Sequence, residues 1–465
     1  MHLLHFGGSL TRGDLSNCKD LAAIRDAISA MAKQKPNAKR LLFRGWFQDS
    51  TDGKALASMI DDLDPRPIYI DSFDLHAVWC NSTAIVEMGL KDVPNMKGGE
   101  VGRDENGNPN GYIAELPVMT IVIPFLAQAA SNEENTMNVR LALRAYNDAG
   151  YTSVAELAMD EGQWQVLLGM REELTLQIAA YWLISPSETE AKVLNQVDKA
   201  IEMKKLYNET TSSDLRIQGI KLICDGTVDG CTAALSKPYS HNSVEAEAMW
   251  DASTLEKVVR KATDAGLQCA LHAIGDKAVT LAVDALAAGG SPTCRHRIEH
   301  LELSSSEDAQ RLGKLGILAS VQPVHSDPHL LRAWPKFIGE DRCQRAFAYK
   351  EFADHGAHIA IGTDAPTAPH LPFPNLYNAT TRRSAVQPEL QEKTTQHFKL
   401  DLFEAMAAVT RGAAYSIFAE HRTGTIEVGK KADLAIAEMK WNAGDLLQAE
   451  VQETWQAGKC VFRKA

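Results

Sequence analysis

Four short motifs between residues 220 and 366 each carry a polar residue at the end of an apolar run. They are Lys221 in IKLICDG, His272 in LHAIGD, His300 in RIEH and Asp364 in IGTDAP. His272 and His300 are 28 residues apart, and Asp364 follows His300 after 64 residues, or twice 32. A (β/α)8 barrel uses about 30 residues per strand–helix unit and keeps its chemistry at the carboxyl ends of its strands. The spacing therefore predicts that these side chains meet at one mouth of such a barrel, where they could bind a divalent metal.

Strand-like and helix-like segments alternate from residue 150 onwards, a pattern that is typical of parallel βαβ units. Segments 251–266 and 276–290 have helical patterns and end in glycines that suit helix C-caps. Seven segments are predicted strands, namely 151–157, 176–184, 215–224, 267–274, 295–301, 317–323 and 358–364. The expected fold class is therefore α/β, a (β/α)8 barrel of which seven strands are recognisable.

The remainder of the chain does not follow this rhythm. Two short extended runs (40–46 and 66–73) precede a segment rich in Gly, Asn and Pro (98–115) that is typical of a hairpin. We predict that this region is an inserted subdomain over the barrel mouth, and that two short paired strands near the C-terminus belong to a small β-sandwich. The expected bounds are 1–9 for a remnant after the first barrel strand, 10–148 for the insert, 149–420 for the barrel body and 421–465 for the C-terminal part of the sandwich.

Composition limits the partners of this 465-residue chain. The net charge is -12 and the basic residues are scattered, which argues against a nucleic-acid partner and gives no reason to expect a membrane partner. No apolar run of about 20 residues could span a bilayer, and the N-terminus lacks the pattern of a signal peptide. Eight cysteines without C-x-x-C spacing suit a reducing compartment. We expect a cytoplasmic protein that acts on a small molecule, with a homodimer left open.

The motifs together resemble the amidohydrolase superfamily, and most closely its amidohydrolase-3 branch, which includes YtcJ-like proteins and N-substituted formamide deformylases. One matching segment alone would be weak, whereas seven in family order are specific. These segments are DLHAVWCNSTAI, IKLICDGTVDGCTAAL, LHAIGDKAV, RHRIEHLELS, ILASVQPVH, IGTDAP and GTIEVGKKADLAI. The resemblance implies a metal-dependent hydrolase that cleaves a non-peptide carbon–nitrogen bond, such as that of an N-substituted formamide or amide.

The resemblance also implies a set of metal ligands. The family uses an H-x-H pair after the first barrel strand, a Lys (often carboxylated) or Glu, two His and an Asp. The last four match Lys221, His272, His300 and Asp364, and His2 matches the second histidine of the pair, with Met1 in the middle position. The first histidine and the first barrel strand have no counterpart, so we expect that translation was assigned to an internal Met. The rival interpretation is a truncated, non-catalytic isoform or mis-started gene model with an incomplete metal site.

In the site that the resemblance implies, one or two zinc-type cations would lower the pKa of a water to about 7 for attack on a carbonyl carbon. Asp364, as catalytic residue and ligand, would accept the proton of that water and pass it to the leaving amine. Two alternatives stay open, because Asp364 could cap the next helix and Lys221 could pair with Asp225. If Lys221 is not carboxylated, a single cation held by the histidines and Asp364 is the simpler site. Phosphoester or lactone hydrolysis on the same ligands also stays open.

Four further residues are weaker candidates for contact with the substrate. His76 and Asn81 lie in the predicted insert, and Gln322 and His325 follow the predicted strand at 317–323. Each could equally hold a loop in place through hydrogen bonds. Glu299 immediately precedes His300, and strand alternation predicts that it points away from the mouth as a packing residue.

Overall fold

The computed structural model describes residues 2–73, 75–94 and 99–465. The chain divides into two compact units. We call Leu4–Ala142 the mixed-sheet unit, and Met1–Leu3 together with Leu143–Ala465 the barrel unit. Within the described residues, no helix is both long and apolar enough to cross a membrane.

The mixed-sheet unit is built on a six-stranded sheet whose order is β1-β2-β3-β4-β6-β5. Its strands are β1 (Gly13–Asp14), β2 (Leu41–Trp46), β3 (Ile68–Ser72), β4 (Ala77–Cys80), β5 (Gly99–Arg103) and β6 (Pro109–Glu115). The first three strands are parallel and the remaining pairs are antiparallel. The two predicted extended runs are confirmed as β2 and β3, and the predicted hairpin as β5 and β6. Gly98, which began that predicted hairpin, lies outside the described residues, as does Met1.

Helices lie before, between and after these strands along the chain. They are α1 (Leu3–Ser9), α2 (Leu21–Gln34), α3 (Ser82–Glu87), α4 (Ile123–Ala129) and α5 (Asn132–Asp148). Asp20 caps α2 by accepting a hydrogen bond from the Ala23 backbone N–H, which satisfies one of the unpaired donors of the first turn. Ile24 and Ile28 of α2 then lie on one turn-spaced stripe that is buried in the core with Phe43.

The barrel unit contains a seven-stranded parallel sheet in which the strands follow one another in chain order. They are β7 (Ser153–Met159), β8 (Gln177–Leu183), β9 (Leu215–Ile223), β10 (Gln268–Ala273), β11 (Arg297–His300), β12 (Leu318–Val321) and β13 (Ile359–Ile361). This sheet order, with a helix between most neighbouring strands, is that of an α/β barrel. All seven predicted strands and the predicted fold class are confirmed.

Helices follow the barrel strands. They are α6 (Glu161–Gly169), α7 (Glu190–Leu206), α8 (Ala252–Asp264), α9 (Asp276–Gly289), α10 (Ser306–Leu315), α11 (Trp334–Ile338), α12 (Glu340–Cys343), α13 (Tyr349–Asp354), α14 (Pro372–Thr381), α15 (Leu402–Ala407) and α16 (Ala413–Ser416). Five of them begin at a side-chain cap, supplied by Asp160, Thr189, Asp251, Ser305 and Asp401. The helices predicted at 251–266 and 276–290 are confirmed as α8 and α9.

The inner face of the barrel sheet is packed with side chains. Leu157, Tyr181 and Ala270 form one buried cluster, and Ala179 packs with residues beyond α16 in another. Gly219 in β9 lies so close to β10 that an added Cβ would be 1.9 Å from the Gln268 carbonyl oxygen. Only glycine permits that approach without displacing the neighbouring strand.

The C-terminal segment forms a three-stranded antiparallel sheet. Its strands are β14 (Leu434–Glu438), β15 (Glu450–Gln456) and β16 (Lys459–Arg463). The sequence predicted two paired strands here, and the structure adds a third, because 450–456 and 459–463 form a hairpin around the turn at Ala457–Gly458.

Candidate metal centre

Parallel register brings the first two motifs onto one face of the barrel sheet. Lys221 of β9 is level with Ala270 of β10, and His272 lies two residues further along β10. Side chains two residues apart on a strand share a face, so Lys221 and His272 both project from the inner face, with His272 nearer the mouth. We use the mouth to mean the carboxyl ends of β7 to β13.

His300 reaches the same place by leaving regular strand geometry. It is the last residue of β11 and is level with Ala273, whose side chain lies on the opposite face from that of His272. However, His300 has a φ of 77° and Leu301 a φ of 53°. This rare backbone conformation lets the imidazole turn inward, and the ring centroids of His272 and His300 are 4.3 Å apart.

Asp364 and His2 meet at the other side of the mouth. The Nε2 atom of His2 is 3.7 Å from Oδ1 of Asp364, and the His2 backbone N–H donates to the Ala365 carbonyl oxygen at 3.3 Å. Asp364 also has a positive φ, of 56°. It does not cap the next helix, because α14 begins at Pro372 with Leu371 as its N-cap. The capping alternative for Asp364 is therefore wrong.

The electrostatics of these groups suit a metal ligand set. Burial and the neighbouring His272 hold the pKa of His300 well below its ordinary value, so its imidazole is neutral at pH 7. Burial alone would raise the pKa of Asp364, but the positive charge of the N-terminal amine, and after it the charged forms of His2 and His300, hold that pKa well below its usual range. The mouth therefore combines the neutral imidazole of His300 with an ionised carboxylate.

Lys221 is buried on the inner face, below His272. Burial lowers the pKa of its ammonium, while Glu299 and Asp364 act in the opposite direction. Among the described residues, the structure shows no hydrogen bond to the side-chain ammonium of Lys221, whereas its carbonyl oxygen accepts the Ile184 backbone N–H at 2.9 Å. Asp225, its predicted alternative partner, instead accepts the backbone N–H groups of Ala234, Ile274 and Gly275.

Asp225 is a buried residue that holds two loops of the mouth together. The sequence did not predict this role. Its three accepted hydrogen bonds, of 2.8 to 3.0 Å, join the loop after β9 to the loop after β10. Its Oδ1 atom lies 3.7 Å from Nε2 of His272. Burial raises the pKa of Asp225 to about 7 in spite of the accepted hydrogen bonds. Its position in the IKLICDG motif was the only signal in the sequence.

The predicted orientation of Glu299 is wrong. Glu299 is level with His272 and therefore shares the inner face, where it accepts hydrogen bonds from Arg297 at 2.5 and 3.1 Å. The Arg297 guanidinium also donates to Ser320 at 2.6 Å and lies 5.5 Å from the ring centroid of Tyr181. The alternation argument failed because it started from His300, whose positive φ reverses the direction of its side chain.

A second pair of polar residues lies beside His300. The Nδ1 atom of His325, in the loop after β12, is 3.1 Å from Oε1 of Glu302, which is two residues beyond His300. The His325 and His300 rings are stacked, with centroids 5.7 Å apart. Thr367 Oγ1 lies 3.4 Å from His325 Nε2 and donates to the Asp364 carbonyl oxygen at 2.6 Å. Sequence reasoning named His325 and missed Glu302, although its spacing of two from His300 in RIEHLE was visible.

The other weak candidates have varied surroundings. Gln322 is buried after β12, and its Oε1 atom has no hydrogen-bond partner among the described residues. In the mixed-sheet unit, His76 Nδ1 lies 2.8 Å from Glu115. Asn81 caps α3 and also bonds the backbone at Ile68 and Arg66. The hydrogen bonds of Asn81 match its loop-holding alternative.

The residues at the mouth fit a divalent cation. Zinc in proteins is bound by neutral imidazole nitrogens and carboxylate oxygens, which His2, His272, His300 and Asp364 can supply. The Nδ1 atom of His300 is buried and has no hydrogen-bond partner among the described residues. A buried polar atom left unpaired costs free energy, and ligation would remove that cost.

Comparison with known proteins identifies the family of the chain. The sequence model of the amidohydrolase family matches residues 1–462. The chain is similar to the putative amidohydrolase YtcJ of Bacillus subtilis, with 27% identity over 483 aligned positions that cover 100% of this chain and 88% of the relative. It is also similar to an N-substituted formamide deformylase of Arthrobacter pascens, with 20% identity over 451 aligned positions that cover 87% and 75% of the two chains.

A solved structure shares the fold. It is the crystal structure of an uncharacterized metal-dependent hydrolase from Pyrococcus horikoshii, with a TM-score of 0.74 and 24% identity. The match covers 93% of this chain and 82% of that one. The resemblance read from the motifs is confirmed, and the chain belongs to the amidohydrolase family as a hydrolase of carbon–nitrogen bonds.

Proposed function

We propose that this chain hydrolyses N-substituted formamides or related non-peptide amides at a zinc-type centre built from His2, His272, His300 and Asp364. The observation that carries the proposal is that imidazoles and a carboxylate from separate segments converge at one barrel mouth. The ring centroids of His272 and His300, which come from different strands, are only 4.3 Å apart. Similarity to an N-substituted formamide deformylase supports the substrate class.

Each residue has a role that follows from its state. A divalent cation, when bound, would supply a Lewis acid that polarises the substrate carbonyl and acidifies the attacking water. The low pKa of Asp364 keeps its carboxylate ionised, so it can accept the proton of the water and return it to the leaving amine. Thr367 lies within 3.2 Å of Oδ2 of Asp364 and would orient that carboxylate. The histidines would serve as ligands through their imidazole nitrogens.

The proposed role of Lys221 follows from its chemistry as a buried amine. The family resemblance implies a lysine at this position that is often carboxylated and would then help to hold a second cation. Burial lowers the pKa of Lys221 and so favours the uncharged amine, which is the form that reacts with carbon dioxide. The proposal itself requires a single cation. Carboxylation of Lys221 would be the route to a second one under the family pattern.

The proposed setting is the cytoplasm, with a small molecule as the partner. All eight cysteines are free thiols. Unpaired cysteines suit a reducing compartment. A site at the mouth of a barrel, where the enzymes of this fold keep their active sites, suits a small substrate.

The proposal is tested by metal removal and reloading. The chain is stripped with a chelator, reloaded with Zn²⁺ and supplied with N-substituted formamides alongside esters and lactones of matched size. We expect formate release that requires the cation and is lost in His272→Asn. Turnover of esters or lactones without turnover of amides would move the assignment to another hydrolase chemistry. An absence of both metal uptake and turnover would support a non-catalytic protein.

A further inference from the structure

We propose that the mouth holds a second divalent cation between His300, Glu302 and His325, and that this position does not depend on a carboxylated Lys221. We call these three residues the Glu302 group. One imidazole nitrogen from each histidine and one carboxylate oxygen lie within 4.8 Å of one another. The inference rests on the proposed function, because it concerns the same centre.

The side chains of the Glu302 group are those of a known kind of metal site. Two histidines and one glutamate are the three protein ligands of several catalytic zinc sites. Glu302 and His300 are buried, and His325 is largely so. Burying the Glu302 carboxylate costs desolvation free energy, and the interaction with the His325 imidazole offsets only part of that cost. A cation would add charge compensation to that pair and would bind an imidazole nitrogen of His300, whose Nδ1 atom has no hydrogen-bond partner among the described residues.

The ligands at the mouth then divide into two sets with none shared. His2, His272 and Asp364 form the first, in which His2 lies 3.7 Å from Asp364. The Glu302 group forms the second, in which His325 lies 3.1 Å from Glu302. Each set contains two imidazoles and one carboxylate. If only one cation is bound, His300 remains available to the first set, as in the proposed function.

The two routes to a second cation make opposite predictions for Lys221. Under the family pattern, its carboxylated side chain bridges the cations, so Lys221→Met removes one of them. Under the present proposal, Lys221 is an unmodified amine below the centre, and Lys221→Met leaves both in place. Under the present proposal, Glu302→Gln removes the second cation, because an amide is a much poorer ligand than a carboxylate. Under the family pattern, Glu302→Gln leaves both cations in place.

The experiment is a Zn²⁺ titration of the full chain, with bound metal counted per chain by elemental analysis. We expect two cations for the wild type, one for Glu302→Gln and two for Lys221→Met. His325→Asn serves as a second variant should Glu302→Gln fail to fold, and is also expected to hold one. His329→Gln, in the same loop as His325, is the matched control and is expected to hold two.

Several results would overturn the inference. Uptake of one cation by the wild type would remove the second position while leaving the proposed function intact. Two cations in Glu302→Gln, or only one in Lys221→Met, would favour the lysine bridge. Failure of the wild type to take up any cation would count against the proposed function itself.

Discussion

At the scale of single residues, two metal-ligand candidates adopt a backbone conformation that non-glycine residues rarely use. His300 has a φ of 77° and Asp364 a φ of 56°, and both stand where a barrel strand gives way to its loop. Such conformations cost about 1–3 kcal/mol each and persist where the surroundings enforce them. At the mouth, they turn side chains inward that regular strand geometry would direct elsewhere.

Asp364 offers the first prediction at this scale. Asp364→Asn should keep the shape of the side chain but remove the charge that binds a cation and accepts a proton. We expect kcat to fall by roughly 10²- to 10⁴-fold, the range of a lost general base, and cation affinity to fall with it. Steady-state kinetics and metal content measure the two effects. Asp264→Asn on the exposed end of α8 is the control, and an unchanged kcat in Asp364→Asn would contradict the assignment.

A second prediction concerns Glu156, a buried residue of β7. Burial raises its pKa to about 8 from the ordinary value of 4.5. Between those values the folded protein binds a proton that the unfolded chain has lost, so this group's contribution to stability falls as pH rises and levels off above about 8. Glu156→Gln removes that dependence, while its amide oxygen can still accept the Leu3 N–H that Glu156 accepts at 2.8 Å.

We therefore expect the unfolding free energy of Glu156→Gln to exceed that of the wild type by an amount that grows from about pH 5 to pH 9. Its size should be on the order of a few kcal/mol. Urea denaturation at several pH values gives the difference. Glu172→Gln, at an exposed position, should show no such trend. A constant difference between Glu156→Gln and wild type would show that Glu156 does not titrate in this range.

At the scale of elements, β11 accounts for both a success and a failure of sequence reasoning. The 28-residue step from His272 to His300, close to one strand–helix unit, predicted the strand and the inward position of His300. The alternation rule then placed Glu299 outward, since nothing in the sequence reveals a positive φ. The same limit hid Glu302, because its approach to His325 depends on how two loops fold back across neighbouring strand ends. Strand positions follow from local patterns, whereas loop-borne contacts follow from tertiary packing.

The ion pair within β11 gives a prediction at this scale. Arg297 and Glu299 are two residues apart, fully buried, and joined by two hydrogen bonds. Removing one partner strands the other charge in the core, so Arg297→Met and Glu299→Gln should each cost about 3–5 kcal/mol. The double variant Arg297→Met/Glu299→Gln should lose much less than the sum of the two single losses. A double-mutant cycle by denaturant unfolding measures the coupling, and additive losses would contradict a coupled pair.

The contact between β9 and β10 gives another prediction at the scale of elements. Gly219→Ala would place a Cβ 1.9 Å from the Gln268 carbonyl oxygen, a distance that requires the strands to separate. We expect a loss of at least about 1–3 kcal/mol from overpacking. Gly169→Ala, at the end of α6, meets nothing within 4 Å and should be neutral or slightly stabilising. Thermal unfolding of the two variants compares them, and equal midpoints would remove the steric argument.

At the scale of the whole molecule, the alternation of strands and helices could be predicted because most barrel strands carry an apolar run and five of the helices after them begin at a side-chain cap. The small C-terminal sheet was harder to predict, because Glu450–Gln456 carries three charged or polar residues in its centre and therefore lacks a clear strand pattern. The metal centre falls between these cases. Its single residues were visible in their motifs, while their distances required the parallel register of β9 to β13.

The central claim is that the barrel mouth binds a divalent cation through His2, His272, His300 and Asp364. The most direct measurement is the metal content of the purified chain after Zn²⁺ loading, for the wild type, His272→Asn, His300→Asn and the exposed control His397→Asn. We predict at least one cation per chain for the wild type and the control, and a clear loss for the other two. Equal content in all four proteins, or none in the wild type, would contradict the claim.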